Sequence, residues 1–145
     1  MATSDFPERR PILWSPLASA CWSLVFTPAF GAYLHARNAD VLGRADEART
    51  NRLWFRVAVG YLAFVWASLY IPAIPDAVFR VGTVGLFLGW YFVAGRRQVV
   101  YVREAFSTGY HQRPLTKPLL IGLGVLLGVL VIDFGLMFIW EPLSE

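Results

Sequence analysis

The sequence predicts an all-α integral membrane protein, a single membrane domain over residues 1–145 with four transmembrane helices. The chain is 57% hydrophobic and 16% charged, with a mean hydropathy of +0.50, whereas about a quarter of the residues in soluble domains are charged. The run from Pro118 to Trp140 contains one charge, Asp133, and about 20 apolar residues cross a bilayer core. Basic residues cluster between the apolar runs, as in multi-pass membrane proteins.

The first apolar run, Pro11 to Leu34, carries no charged residue. It predicts a first transmembrane helix with a kink at Pro28, because proline removes a backbone donor. Ala18-Ser19-Ala20 is similar to a signal-peptide cleavage site, but hydrophobicity continues well past it, so we reject a signal peptide. Phe30-Gly31-Ala32 offers small residues for close helix packing. The alternative is a three-span protein in which this run is buried or re-entrant.

The remaining apolar runs predict three further spans, residues 53–71, 77–95 and 118–140. Two prolines in the short segment 72–76 predict a tight turn between the second and third spans. Residues 44–56 have helical composition, and apolar residues recur on one face between 96 and 110. The second and third helices should therefore extend beyond the lipid into the cytoplasm.

Basic residues predict the orientation of these spans. They lie in two predicted cytoplasmic loops, 35–52 and 96–117: Arg37, Arg44, Arg49, Arg52, Arg96, Arg97, Arg103, Arg113 and Lys117. The positive-inside rule then predicts that these loops lie in the cytoplasm and that both termini lie on the outer side, which is the periplasm in a bacterium. That rule alone accounts for these residues, although a surface for anionic lipid or protein would use the same ones. No nucleic-acid partner is expected.

Charges within the spans are scarce and informative. Arg80 and Asp133 lie at similar depths from the outer side, which predicts an ion pair between the third and fourth helices. The structural interpretation is a pair that fixes helix register, and the functional one makes Asp133 a proton or cation site. Glycines at helix-packing spacing predict contacts within the monomer or with a second copy: Gly82, Gly85, Gly89, Gly124 and Gly128.

Two sequence blocks carry a resemblance. Residues 22–48, WSLVFTPAFGAYLHARNADVLGRADEA, and residues 98–120, QVVYVREAFSTGYHQRPLTKPLL, resemble small uncharacterised bacterial inner-membrane proteins. Those proteins have a PAFGAxLHARN…LG…A block and a later QxxYVxEx[FY]…Y…KPL block. The resemblance implies a polytopic inner-membrane protein and assigns no activity and no catalytic residues.

Residue types typical of catalysis are few. Cys21 is the single cysteine, so no disulfide or thiolate metal site is expected within the chain. His35 and His111 are placed at helix ends or in a loop, and HExxH, phosphate-loop and nucleophile-elbow motifs are absent. We therefore expect no catalytic, metal or cofactor site, and a non-enzymatic structural or accessory subunit or membrane scaffold. Its partners would be the bilayer and a membrane protein or second copy. The alternative is a small oligomeric transporter or channel that uses Asp133.

Overall fold

The computed structural model describes residues 10–68, 76–107 and 109–140, with the side chains of 76–78 and 137–140 excluded. These residues are mostly helical, which confirms the all-α prediction. The chain divides into two compact units, Met1–Arg113 and Pro114–Glu145, and each is described by itself. The predicted 72–76 turn, apart from Asp76, and the far ends of the chain lie outside the described residues. The single-domain assignment stays a prediction.

Helices form almost all of the described residues of both units. The described part of the second unit contains one helix, α6 (Thr116–Trp140). In chain order the first unit contains β1 (Ile12–Leu13), α1 (Pro16–Phe26), α2 (Pro28–Val41), α3 (Ala45–Ser68), α4 (Asp76–Trp90), a π-helical turn (Tyr91–Gly95), α5 (Arg96–Phe106) and β2 (His111–Gln112).

The first apolar run forms two helices that reverse direction at Thr27. Thr27 has φ 88° and ψ 159°, so it ends α1 and precedes α2. Proline disfavours helical geometry in the residue before it and is favoured at the first helical position, which is where Pro28 lies. The 11-residue α1 is about 16 Å long, roughly half of a bilayer core. One transmembrane helix from Pro11 to Leu34 is therefore wrong, because the run is divided into two helices at Thr27.

Two sets of contacts hold α1 against α2 as an antiparallel hairpin. At its open end the Trp14 N–H donates to Asn38 Oδ1 at 3.0 Å, and Asn38 Nδ2 donates to the Trp14 carbonyl at 2.7 Å. Towards the tip, Gly31 lies against Ser23 with no room for a side chain between them. The Ser15 hydroxyl caps the first turn of α1. The hairpin is thus fixed at both ends by side chains drawn from its own sequence.

The next helices run further than the predicted spans. Gly43, with φ 69°, forms the turn between α2 and α3, and glycine adopts this conformation without steric cost. The predicted loop 35–52 is therefore helical except at this turn. The helix α3 begins at Ala45, and α4, the π-turn and α5 form one continuous rod from Asp76 to Phe106. Both helix extensions predicted from the sequence are present as continuous helix, and their cytoplasmic location stays a prediction.

The N-terminal segment pairs with a distant part of the same unit. Ile12 and Leu13 form a parallel ladder with His111 and Gln112, in which the Arg113 N–H donates to the Leu13 carbonyl at 2.7 Å. The same segment bonds to Asn38 near the end of α2. Residues 10–14 thus lie at the end of the helices that carries the two predicted basic loops. The prediction that the N-terminal residues and these loops occupy opposite sides of a membrane is wrong.

One helix in the described ranges is long and apolar enough to cross a membrane. It covers Thr116–Leu136 with a mean hydropathy of 2.5, and none of it is buried. Four transmembrane helices are not supported. The described part of α3 draws its first turns from charged sequence, α4 has 15 residues before the π-turn, and the first run is divided at Thr27.

Gly31→Ala tests the close packing of the hairpin. A Cβ at Gly31 would overlap Ser23 Oγ and the Trp90 ring, so we expect the substitution to lower the free energy of unfolding by about 1–3 kcal/mol. Gly60→Ala is the matched control, because a Cβ at Gly60 meets no atom within 4 Å and alanine favours helix by about 0.5–1 kcal/mol. Thermal unfolding in detergent measures both, and equal midpoints would contradict the packing described here.

Candidate functional site: the buried polar centre around His35

Polar side chains are buried where the α1–α2 hairpin meets α3 and α5. Burying a polar group is costly unless it finds a hydrogen-bond partner. Six such side chains, each at most 1% exposed, form this polar centre: Ser19, Ser23, His35, Asn38, Asn51 and Gln98. Such a concentration in a mostly apolar chain makes this region the candidate functional site.

His35 lies at the middle of the polar centre, inside α2. Its Nε2 lies 3.0 Å from the Pro16 carbonyl oxygen, and since a carbonyl only accepts, Nε2 carries the hydrogen. Burial lowers the His35 pKa from 6.5 to about 4, and the bond to Pro16 opposes this in part. The imidazole is therefore neutral at pH 7, with an unprotonated Nδ1 that meets no hydrogen-bond partner among the described residues.

Trp90 fills the space beside His35. Its ring is fully buried, with its centroid 5.2 Å from the imidazole centroid in an edge-to-face arrangement. Its Nε1–H donates to Asn51 Oδ1 at 3.0 Å, and Asn51 Nδ2 donates in turn to the Glu47 carbonyl at 3.0 Å. Gly31 of α2 lies against the ring from another helix. Trp90 thus joins α2, α3 and α4 through one side chain.

Gln98 connects the two sequence blocks that carried the resemblance. Its Nε2 donates to the His35 backbone carbonyl at 2.9 Å, across 63 residues of sequence. Its Oε1 is buried without a hydrogen-bond partner among the described residues. The π-turn just before α5 adds one residue to the helical register, and Gln98 and Val102 are buried on the following helix. The blocks 22–48 and 98–120 are therefore in direct contact through Gln98 and His35.

The polar centre is built to join helices. Its titratable member, His35, has no exposed surface, so a ligand or solvent proton reaches it only if the helices separate. His111 is exposed in β2 and lies outside the centre. Across the described ranges, no group of three His, Cys, Asp or Glu side chains gathers as a metal site would require. Side chains of the polar centre donate hydrogen bonds to backbone carbonyls, and these bonds hold distant chain segments together.

The two charged residues predicted within the spans lie in different units. Arg80 is exposed on α4, and Asp133 is half-buried on α6. The Arg80–Asp133 ion pair would join the two units, so it stays a prediction.

The predicted packing glycines divide into two groups. Gly82 lies against the ring and hydroxyl of Tyr61, and a Cβ at Gly89 would lie 3.3 Å from the Trp54 ring. These contacts pack α4 against α3 within the first unit. The other three would meet no atom within 4 Å of an added Cβ: Gly85, Gly124 and Gly128.

The predicted basic residues also divide into two groups. Three of them pair with acids: Arg44 with Glu47 at 2.7 Å, Arg49 with Asp46 at 3.7 Å and Arg52 with Asp40 at 2.6 Å. Arg44 also stacks over Tyr101, and Arg113 over Trp14. The others are exposed without an ion pair in the described ranges: Arg37, Arg96, Arg97, Arg103 and Lys117.

Sequence reasoning missed most of the polar centre. It placed His35 at a helix end or in a loop, which is wrong because α2 continues to Val41. It assigned no role to Trp90, which falls within the predicted span 77–95. The available signal was the spacing of His35 and Asn38, two polar residues one turn apart beside the apolar run. The bonds to Trp14 and Gln98 had no such signal.

Stability should depend on pH through His35. Its pKa is lowered on folding, from 6.5 to about 4, so the unfolded chain binds a proton more readily. The stability that the neutral His35 gives the folded state is fully present above pH 6.5. As the pH falls towards 4, about 3 kcal/mol of it is lost. The variant His35→Gln keeps a donor near the Nε2 position. Its unfolding midpoint should fall less between pH 7 and 4.5 than that of the wild type.

His111→Gln is the control, because it removes the exposed histidine and leaves the polar centre unchanged. The difference between variants cancels the titration of the carboxylates they share. Equal pH dependence in wild type and His35→Gln would show that His35 is not buried in the neutral form.

Comparisons with known proteins add no family to this geometry. No family model matches the chain, no curated protein matches it and no solved structure matches it. The resemblance carried by residues 22–48 and 98–120 therefore stays a prediction.

Proposed function

We propose that this chain is a multi-pass inner-membrane protein that acts as a non-catalytic accessory subunit or scaffold. The observation that carries the proposal is α6, an apolar helix of 25 residues with no buried stripe. Val131 on one side is 72% exposed, and Leu126 and Leu130 on others are 44% and 50% exposed. A helix that is apolar all round needs lipid or another membrane helix as its surroundings.

Three crossings with a re-entrant hairpin describe the proposed topology. In this topology the apolar part of α3, from Leu53, crosses the membrane, and α4 returns together with the π-turn that continues it. The helix α6 crosses again, while the α1–α2 hairpin enters from the cytoplasmic side and turns back at Thr27. Exposed apolar residues near the hairpin tip, Leu24 at 70% and Val25 at 60%, support contact with lipid. The N-terminal residues and basic segments then share the cytoplasm, and the C-terminus faces the periplasm.

The closed polar centre supports a scaffold role. Asn38, Gln98 and Trp90 each donate a hydrogen bond to an acceptor within the first unit. These bonds link segments that are far apart in sequence. A protein with this arrangement presents a fixed outer surface, which suits assembly with another membrane protein.

Co-purification tests the accessory role directly. We expect the tagged protein to remain with membranes after alkaline carbonate washing, because α6 leaves the bilayer only at the cost of exposing its apolar side chains. Extraction in mild detergent should then recover a second protein in stoichiometric amount. A chain that stays soluble without amphiphile would contradict the membrane assignment, and purification as a lone chain would contradict the accessory role.

Asp133→Asn separates this proposal from the transporter alternative. An accessory subunit should bind its partner in the variant, whereas a coupled transporter would lose ion flux in liposomes. Flux by the wild-type protein that the substitution abolishes would favour the transporter.

Cysteine labelling tests the topology. In a Cys21→Ser background, single cysteines replacing Arg10 and Arg97 should both resist a membrane-impermeant reagent in intact cells, because β1 and the basic segments lie at one end of the unit. A cysteine replacing Ser144 should react. Labelling of position 10 together with protection of position 97 would contradict the hairpin.

A further inference from the structure

Three exposed arginines of the first unit, like Arg103 further along α5, have no acid to pair with among the described residues. Arg37, Arg96 and Arg97 make no ion pair, hydrogen bond or ring contact to any described residue, while three other arginines of the same end are neutralised by acids. A positive charge without an internal counterion is available for an external anion.

These three arginines lie at one height along the helices. Gly31 of α2 contacts Trp90, and His35, four residues later in α2, contacts Gln98, which also comes later in the α4–α5 rod. The helix α2 and the rod therefore run in the same direction. Arg37 follows His35 by two residues, and Arg96 and Arg97 precede Gln98 by two and one. At about 1.5 Å per residue they fall within roughly one helical turn of each other.

Each arginine also borders exposed apolar surface on its own helix face. Tyr33, four residues before Arg37, is 48% exposed, and Phe92 and Val93, four residues before Arg96 and Arg97, are 60% and 48% exposed. Residues four apart share a helix face. On both α2 and the α4–α5 rod, the exposed surface is apolar before the arginines and basic at them. The change occurs at the same height on both, in the direction in which both run.

We propose that Arg37, Arg96 and Arg97 form a basic belt that binds the phosphate groups of anionic phospholipids at the cytoplasmic surface of the bilayer. This inference rests on the proposed membrane function. A lipid surface is planar, apolar on one side of its boundary and anionic on the other, and the belt has the complementary arrangement on more than one helix. Guanidinium groups bind phosphate oxygens in a bidentate manner.

An open groove on α5 accompanies the belt. It is lined by Arg96, Arg97, Val100, Tyr101 and Glu104, so two of the three belt arginines border a surface depression. A headgroup phosphate held by the two arginines would lie at one end of this groove, and Glu104 at the other end would disfavour a second anion there.

Lipid retention by the full-length protein tests the proposal. The protein is reconstituted in vesicles of equal parts phosphatidylglycerol and phosphatidylcholine, floated, extracted in mild detergent and repurified, and its bound lipids are quantified. Wild type should retain phosphatidylglycerol in preference, and the triple variant Arg37→Gln, Arg96→Gln, Arg97→Gln should lose that preference by roughly fivefold for each arginine.

The control variant removes the same charge elsewhere at that end. Arg49→Gln, Arg52→Gln, Arg103→Gln changes two paired arginines and one that follows Arg96 by two helical turns, and it should retain phosphatidylglycerol as wild type does. Equal retention by wild type and the belt variant, or equal loss in both variants, would overturn the belt. Failure of wild type to float with the vesicles would overturn the proposed function itself, so the two failures are distinguishable.

Discussion

The arrangement of the first unit depends on the burial of one indole. Trp90 is fully buried and carries a donor that must be satisfied where it lies, and Asn51 supplies the acceptor. Its ring fits only because Gly31 has no side chain. The hairpin, α3 and the α4–α5 rod are therefore positioned around a single rigid group. Around it, His35, Asn38 and Gln98 direct side-chain donors to backbone carbonyls, which fixes the register of each segment more narrowly than apolar packing would.

The hairpin shows how local backbone chemistry overrides hydropathy. Residues 11–34 are apolar enough for a span, but hydropathy measures composition and carries no information about direction. Pro28 disfavours helical geometry at Thr27, and Thr27 adopts a positive φ that is rare for a β-branched residue. The cost of this conformation, of order 1–3 kcal/mol, is offset by contacts that only the reversed chain can make, such as the paired hydrogen bonds of Trp14 with Asn38.

The sequence was sufficient for the parts of the fold that depend on local periodicity. The start of α3 and the continuous α4–α5 rod followed from apolar spacing and helical composition. The close approach at Gly31 was also foreseen. The site was largely not foreseen, because its contacts are long-range: Gln98 bonds to a carbonyl 63 residues away, and Trp90 bonds to Asn51 on a preceding helix. Residue types identified the polar side chains, but only the packing of helices decided which became buried.

The short parallel ladder between β1 and β2 has a consequence for biosynthesis. Ile12 and Leu13 leave the ribosome early, but the strand they pair with, His111–Gln112, is made about 100 residues later. The strand β1 therefore pairs only after a much later segment has been made, and closing so large a loop is slow compared with forming the hairpin beside it. Until β2 has been translated, β1 keeps an unpaired edge, which a chaperone or a fused tag could occupy.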